Sequence, residues 1–402
     1  MNLTTELTLP CGAVLKNRIA KSAMSENMCP GHHRPTTTLI NAYKRWVNGG
    51  AGLIITGNIM IDKKAIGEPG NVIVEDDKDM DLLRQWAEIV KDSGAHLWPQ
   101  INHPGRQALG GINKEVVAPS AIKLDVDSMS SMFKQPRALT EDEIFDLIDQ
   151  FGNTAAILKE AGFTGVQIHA AHGYLVSQFL SPLSNQRQDQ WGSSIENRSR
   201  FVLSIYRDIR KKVGDDYPIG IKINSADFQR GGFTEEESMQ VVQLLDAEGM
   251  DLIEVSGGTY EQPAMMGAEV KESTKQREAY FMDYVAKVRS KLTTPLMLTG
   301  GFRTVKTMAE VLQEDALDVV GIARPFTIYP DLPNRIFKGE LDKLEVKVPS
   351  SGLKMLDQSG FLDLQWHELH IHRLGTGKKP NPNLNPYRAI GHNIKMMVKK
   401  FI

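Results

Sequence analysis

Short apolar runs alternate with longer segments of helical periodicity along most of this 402-residue chain. Apolar runs bounded by turn residues predict buried strands, and the amphipathic segments between them predict helices. Eight such strands are predicted, at residues 19–23, 52–57, 96–102, 165–171, 218–224, 251–257, 295–301 and 318–324. Repeated strand–helix units of this kind are typical of a parallel sheet covered by helices.

Two of the helical segments carry a specific start signal. Thr140 with Glu143, and Thr234 with Glu237, match the capping box, in which both side chains accept hydrogen bonds from backbone N–H groups at the start of a helix. Gly249 then predicts the end of the second helix. Both signals strengthen the prediction of a regular strand–helix alternation.

Eight consecutive units in about 310 residues predict a single (β/α)8 barrel, the TIM barrel, with inserted loops. The alternative, an open doubly wound sheet, would normally carry a Gly-x-Gly-x-x-Gly turn after an early strand, and the sequence has none. We therefore expect the barrel to occupy residues 1–330. Residues 331–402 are expected to form a C-terminal extension of helices and extended chain, packed on the barrel or on a neighbouring subunit of a possible homo-oligomer.

Composition narrows the classes of function. The 47 Lys+Arg and 49 Asp+Glu residues give a formal net charge of −2, so no large basic field is available for nucleic acid or for an anionic membrane surface. No apolar stretch approaches the roughly 18 residues of a membrane-spanning helix, and the N-terminus lacks a secretory signal pattern. Cys11 and Cys29, the two cysteines, are too few for an iron–sulfur cluster or a four-cysteine zinc site. We expect a cytoplasmic protein.

Near the ends of several predicted strands, polar residues occupy the alternate positions that face the barrel axis. The active sites of such barrels lie at the C-terminal ends of the strands. Gln100 lies in the third strand, and Lys222 lies between isoleucines in the fifth. His169 lies near the end of the fourth strand, and His172 and Tyr174 follow it. A single histidine in such a place is often structural, but two imidazoles and a phenol this close predict one polar cluster that faces a cavity.

Burial of Lys222 requires an anionic partner, and its role has more than one explanation. Glu254, inward-facing on the next strand, could form a structural salt bridge with it. Alternatively, a desolvated Lys222 could be the amine nucleophile of a Schiff-base aldolase. A metal-dependent barrel hydrolase is a further alternative, although of the strand-end residues only His169 and His172 qualify as ligands.

A second histidine-rich segment lies in the C-terminal extension, where residues 367–372 have the sequence His-Glu-Leu-His-Ile-His. The zinc motif His-Glu-x-x-His would require histidine at position 371, where the chain has Ile371. We predict no metal site here and interpret the segment as a polar helix face.

Two glycine-containing turns follow the last two predicted strands, at residues 299–304 and 321–325. Turns in these positions commonly bind phosphate in barrels, because small residues let backbone N–H groups approach an anion. Arg324 could add a bidentate contact. The sequence therefore predicts a phosphate site at this end of the barrel.

Longer motifs surround these residues. They are HAAHGYL at 169–175, FLSPLSN at 179–185, WG at 191–192, ENR at 196–198, LKNRI at 15–19 and QINHPGR at 100–106. Together, from about residue 15 to residue 326, they resemble the old yellow enzyme family of FMN-dependent ene-reductases, and most closely its paired-histidine branch.

The resemblance implies FMN as the cofactor and NADH or NADPH as the reductant. Lys222 would replace the cation, usually arginine, beside flavin N1 and the C2 oxygen, where a positive charge stabilises the anionic reduced flavin. The other implied cofactor contacts are Ala23, Met24 and Ser25 along one edge of the ring, Asn58 and Gln100 at its polar rim, and Gly301, Phe302, Ala323 and Arg324 at the phosphate.

The resemblance also implies a substrate class and catalytic roles. His169 and His172 would hydrogen-bond the oxygen of an alkene activated by a carbonyl or nitro group, hydride would pass from flavin N5 to its β carbon, and Tyr174 would protonate the α carbon. Two positions depart from the family pattern. Ser25 stands where relatives often have Cys or Thr, and Asn27 where the paired-histidine branch often has Tyr. A flavin-binding protein without turnover is the remaining alternative.

Overall fold

The computed structural model describes residues 2–259, 261, 281–347, 349–353, 357 and 360–399. Its central feature is a barrel of eight parallel strands: β1 (Ile19–Lys21), β2 (Leu53–Met60), β3 (His96–Asn102), β4 (Val166–Ala170), β5 (Ile219–Asn224), β6 (Leu252–Ser256), β7 (Leu296–Thr299) and β8 (Val319–Ile322). The barrel is closed, because β1 pairs with both β8 and β2. The predicted (β/α)8 barrel is confirmed, and each observed strand overlaps its prediction.

Helices follow the strands and cover the outside of the barrel. They are α1 (Thr37–Asn48), α2 (Met80–Ala87), α3 (Glu141–Glu160), α4 (Leu175–Leu180), α5 (Ile195–Val213), α6 (Glu235–Ala247), α7 (Met282–Arg289), α8 (Val305–Gln313), α9 (Pro325–Ile328), α10 (Leu332–Phe337), α11 (Phe361–Gly375) and α12 (Tyr387–Lys399). Both predicted capping boxes are present, at the starts of α3 and α6. Within the part described, no helix has the length and apolarity needed to cross a membrane.

The inserted loops contain short additional elements. These are the strands Leu7–Thr8, Val14–Leu15, Val72–Ile73, Val117–Ala118 and Arg137–Ala138, and the 3₁₀ turns Glu88–Val90, Gly105–Gln107 and Asp127–Met132. The first two strands pair as an antiparallel hairpin. Leucines of this hairpin pack against the inward-facing apolar residues at the N-terminal ends of the barrel strands. The hairpin thereby closes the end of the barrel opposite the predicted site.

Trp98 fills the apolar end of the barrel interior and is fully buried. Gly220, on β5, makes room for it, because a Cβ at this position would lie 2.9 Å from the indole ring. A close-packed protein interior can accommodate an extra atom only if the neighbouring atoms shift. The glycine therefore follows from the size of the tryptophan.

We expect Gly220→Ala to lower the free energy of unfolding by about 1–3 kcal/mol, since the added methyl group overpacks a core with no space to relax. Urea denaturation measures this change. Gly391→Ala is the matched control, because a Cβ at that position in α12 meets nothing within 4 Å. Equal stability of the Gly220→Ala variant and the unmutated protein would show that the indole is not held by β5.

The C-terminal helices pack on the barrel near α9 and α1. Trp366 of α11 is buried with Ile328 of α9, and its indole N–H donates to the carbonyl of Leu384 at 3.0 Å. Gly375, at the end of α11, approaches α1 so closely that a Cβ would lie 2.1 Å from the carbonyl oxygen of Thr38. Helix α11 is therefore part of the same hydrophobic packing as the barrel helices.

The interpretation of residues 367–372 as a polar helix face is wrong. His367, Glu368 and His370 are all buried. The two ring nitrogens of His370 contact the carbonyl oxygens of Trp366 and Asn381 at 2.8 and 3.0 Å. These polar side chains face inward because the barrel and the chain around residue 381 supply hydrogen-bond partners, which buried polar groups require.

Candidate active site

A continuous chain of buried polar side chains from β3, β4, β5 and β6 crosses the barrel interior. Gln100 donates from its amide nitrogen to Gln167 at 2.7 Å, and Gln167 donates to a carboxylate oxygen of Glu254 at 2.7 Å. The other carboxylate oxygen of Glu254 lies 2.9 Å from Nζ of Lys222. All four side chains are 4% exposed or less. The chain gives this end of the interior a polar floor.

The salt bridge between Lys222 and Glu254 is one of the alternatives left open by the sequence, and the structure contains it. The two residues are direct neighbours across β5 and β6. Glu254 also accepts a hydrogen bond of 2.6 Å from Thr299 on β7. Nζ of Lys222 is engaged by this carboxylate, so a carbonyl carbon could bond to the nitrogen only after the ion pair had been broken. This geometry therefore weighs against a Schiff-base lysine.

The three predicted catalytic residues form one cluster above this floor. The ring of His169 lies edge-on to the rings of His172 and Tyr174, with centroid distances of 5.1 and 4.7 Å. His172 and Gly173 have φ values of 61° and 77°, which turn the chain back over the end of β4. Residues other than glycine seldom adopt a positive φ, so the backbone of His172 is strained. Such strain is often found at functional sites.

Both histidines are held as neutral imidazoles. Burial, with a smaller contribution from Lys222, holds the pKa of His169 and of His172 well below the ordinary value. Nδ1 of His169 accepts from the backbone N–H of Ala171 at 3.3 Å, so the proton of the neutral ring is on Nε2. His172 Nε2 contacts the hydroxyl of Ser256 at 2.8 Å. The pair can donate N–H hydrogen bonds without carrying charge.

Asn58 connects this cluster to β2. Its amide nitrogen donates a long hydrogen bond of 3.4 Å to the hydroxyl of Tyr174, and its carbonyl accepts from Asn102 at 3.2 Å. The register between β2 and β3 shifts between Ile55 and Asn58, and this irregularity points Asn58 into the mouth of the barrel. Asn102 thereby fixes which end of the Asn58 amide faces the phenol.

Ser25, in the loop after β1, bridges two carboxyl groups, one half-buried (Glu68) and one buried (Glu368). Its hydroxyl oxygen lies 2.7 Å from Glu68 and 2.7 Å from Glu368 of helix α11. A hydroxyl has one hydrogen, so it can donate to only one of them, and the other contact requires a protonated carboxyl. Burial and the charge of Glu68 raise the pKa of Glu368 to about 7, and burial also raises the pKa of Glu68. The two acids therefore share a proton near neutral pH.

Replacing Glu368 tests this shared proton. A carboxyl whose pKa is higher in the folded protein than the unfolded value of about 4.3 reduces stability progressively as pH rises between the two values. Glu368→Gln keeps a hydrogen-bond donor to Ser25 and cannot ionise. We expect the free energy of unfolding of the variant, relative to that of the unmutated protein, to increase by about 3 kcal/mol as the pH rises from 4.3 to 7.5. Urea denaturation at each pH measures this difference.

The matched control is Glu314→Gln, which alters an exposed carboxylate after α8 and should show no such pH-dependent difference. A difference for Glu368→Gln that stays constant with pH would mean that both carboxyl groups are already ionised at pH 6.

The turns after β7 and β8 have the features of a phosphate site. Gly300 and Gly301 have φ values of 125° and 83°, a conformation that favours glycine. The side chain of Phe302 is buried in the hydrophobic core, which leaves its backbone as the part available to a ligand. Ala323 and Arg324 follow β8, and the Arg324 guanidinium is 43% exposed. Its Nη1 lies 2.9 Å from a carboxylate oxygen of Asp363 in α11.

The predicted residues therefore surround one mouth at the C-terminal ends of the strands, with differing degrees of contact. The predicted catalytic residues and Asn58 touch one another, whereas Gln100 reaches Lys222 through Gln167 and Glu254. Ala23 and Met24 are half-buried in the loop that carries Ser25. Three residues at this mouth were not predicted from the sequence: Glu68, Asp363 and Glu368. Asp363 and Glu368 lie next to the barrel only after folding, so no local sequence pattern identifies them.

The donor set at this mouth fits FMN. Uncharged amides and one ammonium suit the polar edge of the flavin ring, while an alanine and a methionine suit its apolar edge. Two glycines with positive φ beside an exposed guanidinium suit a phosphate. Within the described residues, no group of three or more His, Cys, Asp or Glu side chains could hold a metal ion.

The fold and this mouth define a class of flavin-dependent oxidoreductase. The sequence model of the NADH:flavin oxidoreductase / NADH oxidase family matches residues 10–343, and the chain belongs to that family. It is 34% identical over 394 residues to the NADH-dependent flavin oxidoreductase iliE of Hypocrea jecorina (strain QM6a), an alignment that covers 91% of this chain and 98% of that protein.

Two further relatives agree with this membership. The chain is 36% identical over 358 residues to the NADH-dependent flavin oxidoreductase nadA of Aspergillus parasiticus, which covers 86% of this chain and 79% of the relative. The solved structure of morphinone reductase superposes with a TM-score of 0.72 at 25% identity, over 86% of this chain and 91% of that one. The resemblance, the oxidoreductase class and the use of FMN with NADH or NADPH are confirmed.

Proposed function

We propose that this protein reduces alkenes activated by a carbonyl or nitro group, with NADH or NADPH as the electron source. The observation that carries the proposal is the cluster of His169, His172 and Tyr174, in which two neutral imidazoles and a phenol lie together above the Lys222–Glu254 pair. The similarity to a protein named morphinone reductase supports reduction of an organic substrate.

The cofactor-binding roles follow the geometry of the mouth. FMN bound at this mouth would supply hydride-transfer chemistry between the nicotinamide and the alkene. Lys222 and Gln100 would contact the polar edge of the ring from the floor, and Asn58 would contact it from β2. The remaining contacts that we assign to FMN are Ala23, Met24 and Ser25 at the ring and Gly301, Phe302, Ala323 and Arg324 at the phosphate.

The imidazole pair performs the activation of the substrate in this proposal. Negative charge develops on the carbonyl or nitro oxygen as hydride arrives at the β carbon. N–H donors of His169 and His172 aimed at that oxygen stabilise the charge where it forms. Tyr174, 4.7 Å from His169 between ring centroids, gives its phenolic proton to the α carbon.

Replacing Tyr174 by Phe separates the two half-reactions. We expect the oxidation of reduced protein by an enone to slow by about 10²- to 10⁴-fold, because protonation at the α carbon loses its general acid. Reduction of the protein by NADH or NADPH needs no such proton and should keep its rate. Anaerobic stopped-flow absorbance of the flavin measures both steps.

Tyr217→Phe is the control, since Tyr217 precedes β5 at the opposite end of the barrel and should leave both rates unchanged. An unaltered enone rate in Tyr174→Phe would remove the proton-donor role. A protein that takes up electrons from nicotinamide but transfers none to enones or nitroalkenes would overturn the proposed substrate class.

A further inference from the structure

Helix α11 of the C-terminal extension lies against two neighbouring strand ends of the barrel mouth. Its residue Glu368 contacts Ser25, which follows β1, and its residue Asp363 contacts Arg324, which follows β8. Strands β8 and β1 pair directly, so these contacts lie on adjacent sectors of the mouth. The helix thus borders the part of the mouth to which we assign the phosphate.

Arg324 is contacted through its side chain by Asp363 and through its backbone by Thr327, and His367 lies between these two partners. Its Nη1 donates to Oδ2 of Asp363 at 2.9 Å, and Oδ1 of Asp363 lies 3.5 Å from Nε2 of His367. The other ring nitrogen of His367 lies 2.7 Å from the hydroxyl of Thr327, which donates to the backbone carbonyl of Arg324 at 2.9 Å. The arginine is therefore held at both its side chain and its backbone, and α11 supplies Asp363 and His367 to this arrangement.

The guanidinium retains donors for an anion. It carries five N–H groups in a rigid fork, and among the described residues Asp363 is the one side chain bonded to it. The Arg324 side chain is 43% exposed and therefore open to solvent, whereas the Asp363 side chain is 20% exposed. A long side chain that is already ordered loses less conformational entropy when it binds a ligand.

We propose that Asp363 is a positioning residue for the FMN phosphate, holding the Arg324 guanidinium in place for a bidentate contact with it. This inference rests on the proposed placement of the phosphate at the turns after β7 and β8. Asp363 also repels a phosphate, but the guanidinium lies between the two anions and the site is open to water, which weakens that repulsion. The gain from ordering the arginine therefore dominates.

The test compares FMN with riboflavin, which has the same ring system and no phosphate. Flavin is removed from the purified protein, and the apoprotein is titrated with each compound while flavin fluorescence is recorded. We expect Asp363→Ala to raise the Kd for FMN about tenfold and to leave the Kd for riboflavin unchanged. Asp363→Glu should recover most of the FMN affinity, because it restores the carboxylate.

Two further variants sharpen the test. Asp331→Ala removes an exposed acid from the same extension and should change neither Kd. Arg324→Ala should itself weaken FMN binding, and adding Asp363→Ala to it should have no further effect, because residues that act through one contact are not additive. Where Asp363→Ala fails to fold, Asp363→Asn takes its place in the cycle, since it keeps the shape and removes the charge.

Equal weakening of FMN and riboflavin would overturn the inference, because it would mean that α11 supports the whole site without acting on the phosphate. Tighter or unchanged FMN binding would also overturn it, since Asp363 would then compete with the phosphate or be irrelevant to it. Failure of the unmutated protein to bind either flavin would instead refute the proposed placement of FMN, and with it the inference.

Discussion

The buried ion pair between Lys222 and Glu254 is the constraint on which the polar end of the barrel depends. A lone ammonium or carboxylate in a barrel interior carries a desolvation penalty of several kcal/mol, whereas a paired and hydrogen-bonded one is tolerated. Glu254 uses its two oxygens to meet Lys222, Thr299 and Gln167. Through Gln167 the same carboxylate fixes the amide of Gln100. One charge thereby orders side chains from four different strands.

A second buried lysine fixes the loop that carries Ser25. Lys21, at the end of β1, is fully buried, donates to the carbonyl of Ile55 at 2.9 Å and lies 3.6 Å from Glu26. Burial lowers the pKa of Lys21 to about 8, and the charge of Glu26 acts against that shift. Glu26 also bonds the hydroxyl of Tyr43 and accepts from the backbone N–H of Gly57. The loop between Lys21 and Glu26 is thus anchored at both ends.

Most of the fold could be predicted from the sequence because its signals are local. Strand periodicity, the capping boxes of α3 and α6, and the inward phase of Gln100 and Lys222 each depend on residues close together in the chain. The alternation of residues along the strands predicts that Lys222 and Glu254 face the barrel interior. It does not establish the contact between them, because that contact depends on strand register and side-chain conformation. The partners of Ser25 and Arg324 in α11 could not be predicted, since about forty to three hundred and forty residues separate them in sequence.

Charge balance at the floor also explains the state of the histidine pair. Because Glu254 offsets Lys222, the floor does not add a large net positive field, yet the ammonium still opposes protonation of His169 and His172. Burial acts in the same direction and more strongly. In the proposed reaction the imidazoles would consequently act through N–H dipoles whose directions are fixed by their neighbours, as the backbone N–H of Ala171 does for His169. Dipoles held in place before charge develops need no reorganisation when it does, and this is the arrangement that stabilises an anionic oxygen most effectively.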